Sequence, residues 1–256
     1  NETTRVVRKY KGPISTSVEK ILKDILKVDE SRIKFDATSN KYNFIGNLKK
    51  PFSVIVWLAS KSVPKKSGDK TAGFLFYQTQ DGFQFRSIDE MIEQESVATY
   101  VYSEVNKSSI DRNNDFKILK YSVDKNQDLL KKLRLGTYSS LQLYFNPLTF
   151  KFTTPEKGSD EAERTLDNLP TRIFTGILDV GTLSRGISFR SNADASKYQS
   201  QSMMRYNTLF TQTVSMTIPC NTDLRAGNVI TCEFPKVSRE DSSELDPDIS
   251  GKYIIK

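Results

Sequence analysis

The stretch from Lys50 to Ile92, KKPFSVIVWLASKSVPKKSGDKTAGFLFYQTQDGFQFRSIDEMI, restricts the fold more than any other part of the chain, because its hydrophobic period changes sharply within a short distance. Pro51 suits the first turn of a helix, where its missing N–H is one of the donors left unpaired anyway. Behind it Phe52, Ile55, Leu58 and Ala59 recur at spacings of three and four, with Val54 and Trp57 widening the stripe, so one helix face is predicted to be buried. A polar loop over 64–71 ends the helix, and 73–79 alternates Phe74 and Phe76 with Leu75 and Tyr77 in the period of a strand. Asp81-Gly82 predicts a hairpin turn, with glycine supplying a positive φ, and Phe83, Phe85 and Ile88 continue as the return strand. Ser87 and Glu90 are spaced as a capping box for a following helix.

A chain of 256 residues can bury roughly 70–75% of its unfolded surface, so a sizeable core is within reach. The chain contains no histidine, which removes the commonest general base and the commonest transition-metal ligand together. Its two cysteines, Cys220 and Cys232, do not make a zinc site, and no metal or other cofactor is expected. They read as reduced thiols on neighbouring strands, with a disulfide between them as the alternative. No apolar run approaches the length of a membrane-spanning helix, so no membrane insertion is expected, and both ends read as cut from within a longer polypeptide. The net charge of +7 suits polyanions, yet the basic residues fall in short groups, Lys49-Lys50, Lys65-Lys66 and Lys131-Lys132-Arg134, without a groove-reading motif. A solvated surface is the preferred reading of these lysines.

Along the rest of the chain, 1–10 reads as extended and Gly12-Pro13 as a stop. Thr16 and Glu19 are spaced as a capping box for a helix carrying Val18, Ile21, Leu22, Ile25 and Leu26. Residues 29–40 read as polar loop, 42–45 as a short extended piece, and 97–105 and 118–123 as strands. A helix is predicted over 126–135 on Leu129, Leu130 and Leu133 with Gly136 as its stop, then a hairpin of 141–145 with 150–152 around Asn146-Pro147. Residues 153–171 read as a long flexible loop, either a mobile excursion or an interaction arm, and 172–178 resume an extended pattern. A weakly apolar helix over 195–210 carries Met203, Met204, Tyr206 and Leu209, and 213–218 with 229–234 read as an antiparallel pair. A last strand covers 253–255.

Acid–base candidates are few. Asp89 with Glu90 sits at a predicted helix start, where the dipole favours carboxylates, and Asp160, Glu161 and Glu163 lie in the long loop. Gly158-Ser159-Asp160 has no strand–turn–helix setting for a nucleophile, and Gly176, Gly181 and Gly186 do not follow a phosphate-loop spacing. Trp57 lies in a helical apolar stripe and reads as core. No catalytic constellation emerges, and the chain is expected not to be an enzyme.

Several stretches carry a likeness that spacing alone does not: P-F-S-V-I-V-W-L-A from Pro51, A-G-F-L-F-Y-Q-T from Ala72, D-G-F-Q-F-R-S-I-D from Asp81, L-R-L-G-T-Y-S-S from Leu133, F-N-P-L-T-F from Phe145, then R-Y-N-T-L-F, D-L-R-A-G-N-V-I and S-G-K-Y-I-I. In this order they resemble the baseplate hub proteins of contractile-tailed, T-even-like bacteriophages. Pro219-Cys220 departs from the Pro-Gly expected there. The resemblance implies an α+β fold, with a helix-and-hairpin domain inserted between tube-like antiparallel β-barrel domains and the second barrel only partly present. It implies a division into 1–13 as the end of an upstream barrel, 14–115 as the insert, and 116–256 as a β-rich domain belonging partly to the second barrel. The implied function is structural: a homotrimeric ring in the virion, made in the host cytoplasm, that adapts a hexameric tail tube to a trimeric central spike. Its implied partners are the tube, spike and tape measure proteins, with DNA passing non-specifically through the lumen. Subunit or partner contacts are expected at Phe74, Phe76, Phe83, Phe85, Tyr100, Tyr102 and Tyr144. The alternatives are a tail-associated cell-wall hydrolase and a hub or spike component of a phage-like contractile injection system.

Overall fold

The computed structural model describes residues 3–66, 71–102, 116–125, 128, 131–132, 140–146, 150–153, 172–177, 199–236 and 245–256. The fold is α+β, and its sheets are open, none closing into a barrel among the described residues. No helix among the described residues is long and apolar enough to cross a membrane. The chain forms two compact units, Asn1–Asp89 with Asp128–Leu209, and Glu90–Gln127 with Phe210–Lys256.

The first unit begins with β1 (Lys9–Tyr10) and α1 (Ile14–Lys20), which runs on into a wider helical turn at Ile21–Ile25. It continues through β2 (Ile33–Phe35), β3 (Phe44–Ile45), α2 (Pro51–Ala59), β4 (Phe74–Thr79) and β5 (Gly82–Ser87), and α3 (Ile88–Ile92) lies at the division between units. Ile14, Val18, Ile21 and Leu22 of the first helix meet Val54, Ile55 and Leu58 of α2 and Phe74 and Phe85 of the sheet in one core. Each such side chain contributes about 1.5–3 kcal/mol on full burial, which offsets the poor capping of both helices. Neither α1 nor α2 has a side-chain cap. The expected Thr16–Glu19 box does not form, because Pro13 takes the cap position and Glu19 instead pairs with Lys23 at 2.6 Å.

The sheet has the order β2-β5-β4. The predicted hairpin is present and Gly82 supplies the expected positive φ, though it stands opposite Thr79 as the first residue of the return strand and Gln80-Asp81 make the turn. Glycine is required there for a second reason: a Cβ would stand 2.1 Å from the Arg32 carbonyl oxygen, where the parallel strand β2 comes in. The sequence pattern predicts loop here, since three residues alternating Ile33-Lys34-Phe35 are too short to stand out in a polar stretch. Ser87 does not act as a cap either. Its buried hydroxyl has no partner among the described residues, and its main-chain N–H donates to the Asp36 carboxylate, which also accepts from Arg86 at 2.9 Å.

Residues before Pro13 belong to this unit and are not the end of a separate barrel. β1 pairs antiparallel with β3, and Val6 and Tyr10 lie in the same core as the helices.

Beyond the division come β6 (Thr99–Tyr102), β7 (Lys117–Ile118) and β8 (Lys120–Lys125). The first unit resumes with β9 (Ser140–Asn146), β10 (Lys151–Thr153), β11 (Arg172–Ile177) and α4 (Gln199–Leu209), and the second ends with β12 (Gln212–Thr217), β13 (Val229–Glu233) and β14 (Gly251–Ile254). The hairpin of β9 with β10 forms as expected, and β11 joins it in parallel. Of the helix expected over 126–135, Asp128, Lys131 and Lys132 are described; the two lysines are helical, and the Asp128 carboxylate accepts from the Lys131 N–H at 2.9 Å; Leu129, Leu130, Leu133 and Gly136 lie outside the described residues, as does the loop beyond Thr153.

In the second unit the order is β14-β13-β6-β7, and β12 pairs with β8. The expected pairing of 213–218 with 229–234 is therefore wrong: each strand takes a partner more than 70 positions away in sequence, which local pattern cannot reveal. The same pairings move the boundary, because β6 lies beside β13 and so separates 90–127 from the preceding helices. Tyr100, Ile118, Ile230, Cys232 and Phe234 form the core here.

Candidate interaction surface

Three of the seven aromatic side chains expected at subunit contacts are corrected by burial. Phe74 and Phe85 pack ring to ring at 4.9 Å in the first core, and Tyr100 lies edge-on to Phe116 at 5.3 Å in the second. They hold their own units together and present nothing to a neighbour. Tyr102 is half-buried against Tyr121. Tyr144 stands in β9 opposite Thr153, and its side chain lies outside the described residues.

Phe76 and Phe83 are different. Half-buried, they stack at 6.0 Å and are joined by Phe52, at 5.5 and 5.8 Å. Phe52 was expected in the buried stripe, yet it is 43% exposed, because it opens the helix at the sheet's rim and only ring contacts hold it. The three rings make an aromatic edge to the first unit.

That edge adjoins open main chain. The Ile88 N–H donates to the Gly73 carbonyl, which fixes the ladder's phase: Leu75 and Tyr77 bond inward to β5, while Phe74, Phe76 and Gln78 point their main-chain groups outward. At Phe74 the outward groups are satisfied by Tyr206, whose hydroxyl accepts from the N–H at 3.3 Å and donates to the carbonyl at 2.6 Å. At Phe76 and Gln78 no partner is present among the described residues. A strand reading FLFYQT, without lysine, proline or bulge, carries none of the usual protection of a sheet edge.

Tyr206 belongs to α4, which docks almost wholly through polar groups. Gln201 accepts from the Ala72 N–H at 3.0 Å, Ser202 donates to the Ser60 carbonyl at 2.7 Å, and Arg205 pairs with Asp89, which Thr71 also contacts. These residues lie at helical spacing on one face, but apolar periodicity is blind to them. Burial pushes the Tyr206 hydroxyl up to about 12, even though the Phe74 main chain and the Arg205 charge act the other way. Asp89, one of the acid–base candidates, is thus engaged in anchoring a helix. Asp160, Glu161 and Glu163 lie outside the described residues.

Elsewhere in this unit Trp57 packs edge-on to Tyr42 at 5.3 Å and Phe44 at 5.6 Å, with the Nζ of Lys61 and Lys49 at 5.2 and 5.8 Å from its ring. Cations occupy the indole surface, so it supports the core, as its place in the stripe predicts. Both thiols stand free; Cys220 is exposed in the segment after β12, and Cys232 is buried in β13, where desolvation pushes it up to about 11. No group of three or more metal-binding side chains occurs among the described residues.

Among the described residues the largest apolar exposures occur where the backbone is left-handed. Phe150 and Leu48, 80% and 66% exposed, both have positive φ, at 53° and 57°. A non-glycine residue costs about 1–2 kcal/mol in this region, and such costs concentrate at functional positions. Comparison with protein-family models and with curated proteins returns no match to this chain.

Proposed function

We propose that this chain is a structural subunit of a ring-shaped assembly, the baseplate hub of a contractile phage tail. The observation that carries this reading is the outward main chain of Phe76 and Gln78 beside the Phe52, Phe76 and Phe83 rings: an unprotected strand edge and an aromatic rim in one place, which a neighbouring subunit would cover. In this reading the open sheets of the second unit form part of a tube-like barrel completed by further chain or by neighbours. The subunit assembles as a homotrimer in the virion and acts as an adaptor between tail tube and central spike, in contact with tape measure protein and passing DNA. Its side chains supply surface and rigidity, and no step of chemistry is assigned to them.

Light scattering on the full-length chain, alone and with tube and spike proteins, tests the proposal. A mass three times that of the chain is expected. A monomer persisting at high concentration with both partners present would refute it.

A further inference from the structure

The turn joining β3 to α2 is built to hold an apolar side chain away from its own fold. Lys49 N–H donates to the Gly46 carbonyl at 3.1 Å, and the two residues between, Asn47 and Leu48, have φ of 47° and 57°, so the turn is of the primed type that ordinarily carries Asn-Gly. Gly46 is constrained by contact: a Cβ there would lie 2.3 Å from the Val6 carbonyl oxygen. At Leu48 the opposite holds. The backbone favours glycine, yet the residue is a leucine facing water.

Its surroundings extend the feature. Val7 and Ile45, 61% and 59% exposed, stand at the same end of the β1–β3 ribbon, and Lys9 is directly opposite Ile45. Three exposed apolar side chains, with the exposed Lys9 beside Ile45, make a knob with a cationic edge.

The charge of the chain indicates what it fits. The first unit has 28 basic against 17 acidic residues, net +11, and the second has 10 against 14, net −4. In the second unit Leu245, 49% exposed, bridges to Pro235 just before the turn that carries Asp246 and Asp248, so an exposed apolar residue is followed closely by two carboxylates. Unlike surfaces on one chain make a head-to-tail contact, and such contacts close into a ring when the rotation between copies closes and extend as a filament when it does not.

We infer that the Leu48 knob is a self-association contact, which takes the acidic second unit of a neighbouring copy as its partner. The inference rests on the ring reading above and names one of its interfaces. That contact accounts for a leucine at a position where glycine would stabilise the monomer.

Leu48→Gly separates the two effects, since it removes the knob and relieves the turn together. In sedimentation velocity across a concentration series, the variant is expected to associate at least ~30-fold more weakly than the natural chain. Its thermal midpoint, read at a concentration where both proteins are monomeric, is expected to rise by about 2–4 °C. Lys9→Glu is expected to weaken association about tenfold, and pairing it with Asp248→Lys restores affinity. A lower midpoint for Leu48→Gly, or association unchanged in that variant, would overturn the inference while leaving a ring built on other contacts intact. A natural chain that never associates would overturn both.

Discussion

Replacing Tyr206 by phenylalanine tests how α4 is held, because it removes one oxygen and keeps the ring. That oxygen bonds both outward main-chain groups of Phe74, at 3.3 and 2.6 Å. Each such bond contributes about 1 kcal/mol net, and its loss leaves a donor and an acceptor at the rim of a buried residue, so a destabilisation of about 2 kcal/mol is expected. Trp57 is the only tryptophan of the chain and lies in the first unit, so its fluorescence reports that unit alone. With a urea slope of about 2 kcal/mol/M, the midpoint followed at Trp57 falls by about 1 M. A shift under about 0.25 M would mean that the hydroxyl does not hold the helix, and the account of a polar dock would fail with it.

Other outcomes follow from the same geometry. Arg205→Ala leaves Asp89 with Thr71 as its remaining partner among the described residues, and a loss of about 2–3 kcal/mol in the same urea assay is expected. Gly82→Ala combines an unfavourable φ of 129° with a Cβ placed on the Arg32 carbonyl, so urea unfolding should show a cost above about 3 kcal/mol or no soluble protein should be obtained. The Tyr206 hydroxyl is raised from 10.0 to about 12 in the folded chain; the unfolded state therefore loses its proton first, stability is intact below pH 10, and it declines between pH 10 and about 12. Tyr206→Phe should flatten that decline in alkaline urea titrations. With a thiol reagent at neutral pH, Cys220 should react promptly and Cys232 only on unfolding, in line with a thiol pushed up to about 11 by burial.

How much of this was legible in the sequence depends on the range of each interaction. The hairpin of β4 with β5, the helix opened by Pro51 and the hairpin of β9 with β10 rest on neighbours in the chain, and their period and turn residues announce them. The pairings of β6 with β13 and β8 with β12 rest on residues more than 70 positions apart, and the domain boundary moved with them. Capping boxes were read from spacing alone, and at Thr16 and Ser87 other contacts won: Pro13 at one helix start and the Asp36 carboxylate at the other. The aromatic residues were recognised as a group, but which of them face outward follows from strand phase, and that is fixed by a single main-chain bond from Ile88 to Gly73. Leu48 gave no signal at all, since a leucine in a loop is unremarkable until its φ is known.

Electron microscopy of the purified full-length protein tests the central claim most directly. The proposal predicts ring-shaped particles with threefold symmetry and a central opening, present at concentrations where Leu48→Gly yields isolated subunits. Compact single particles of one chain each, unchanged by concentration or by added tube and spike proteins, would contradict it.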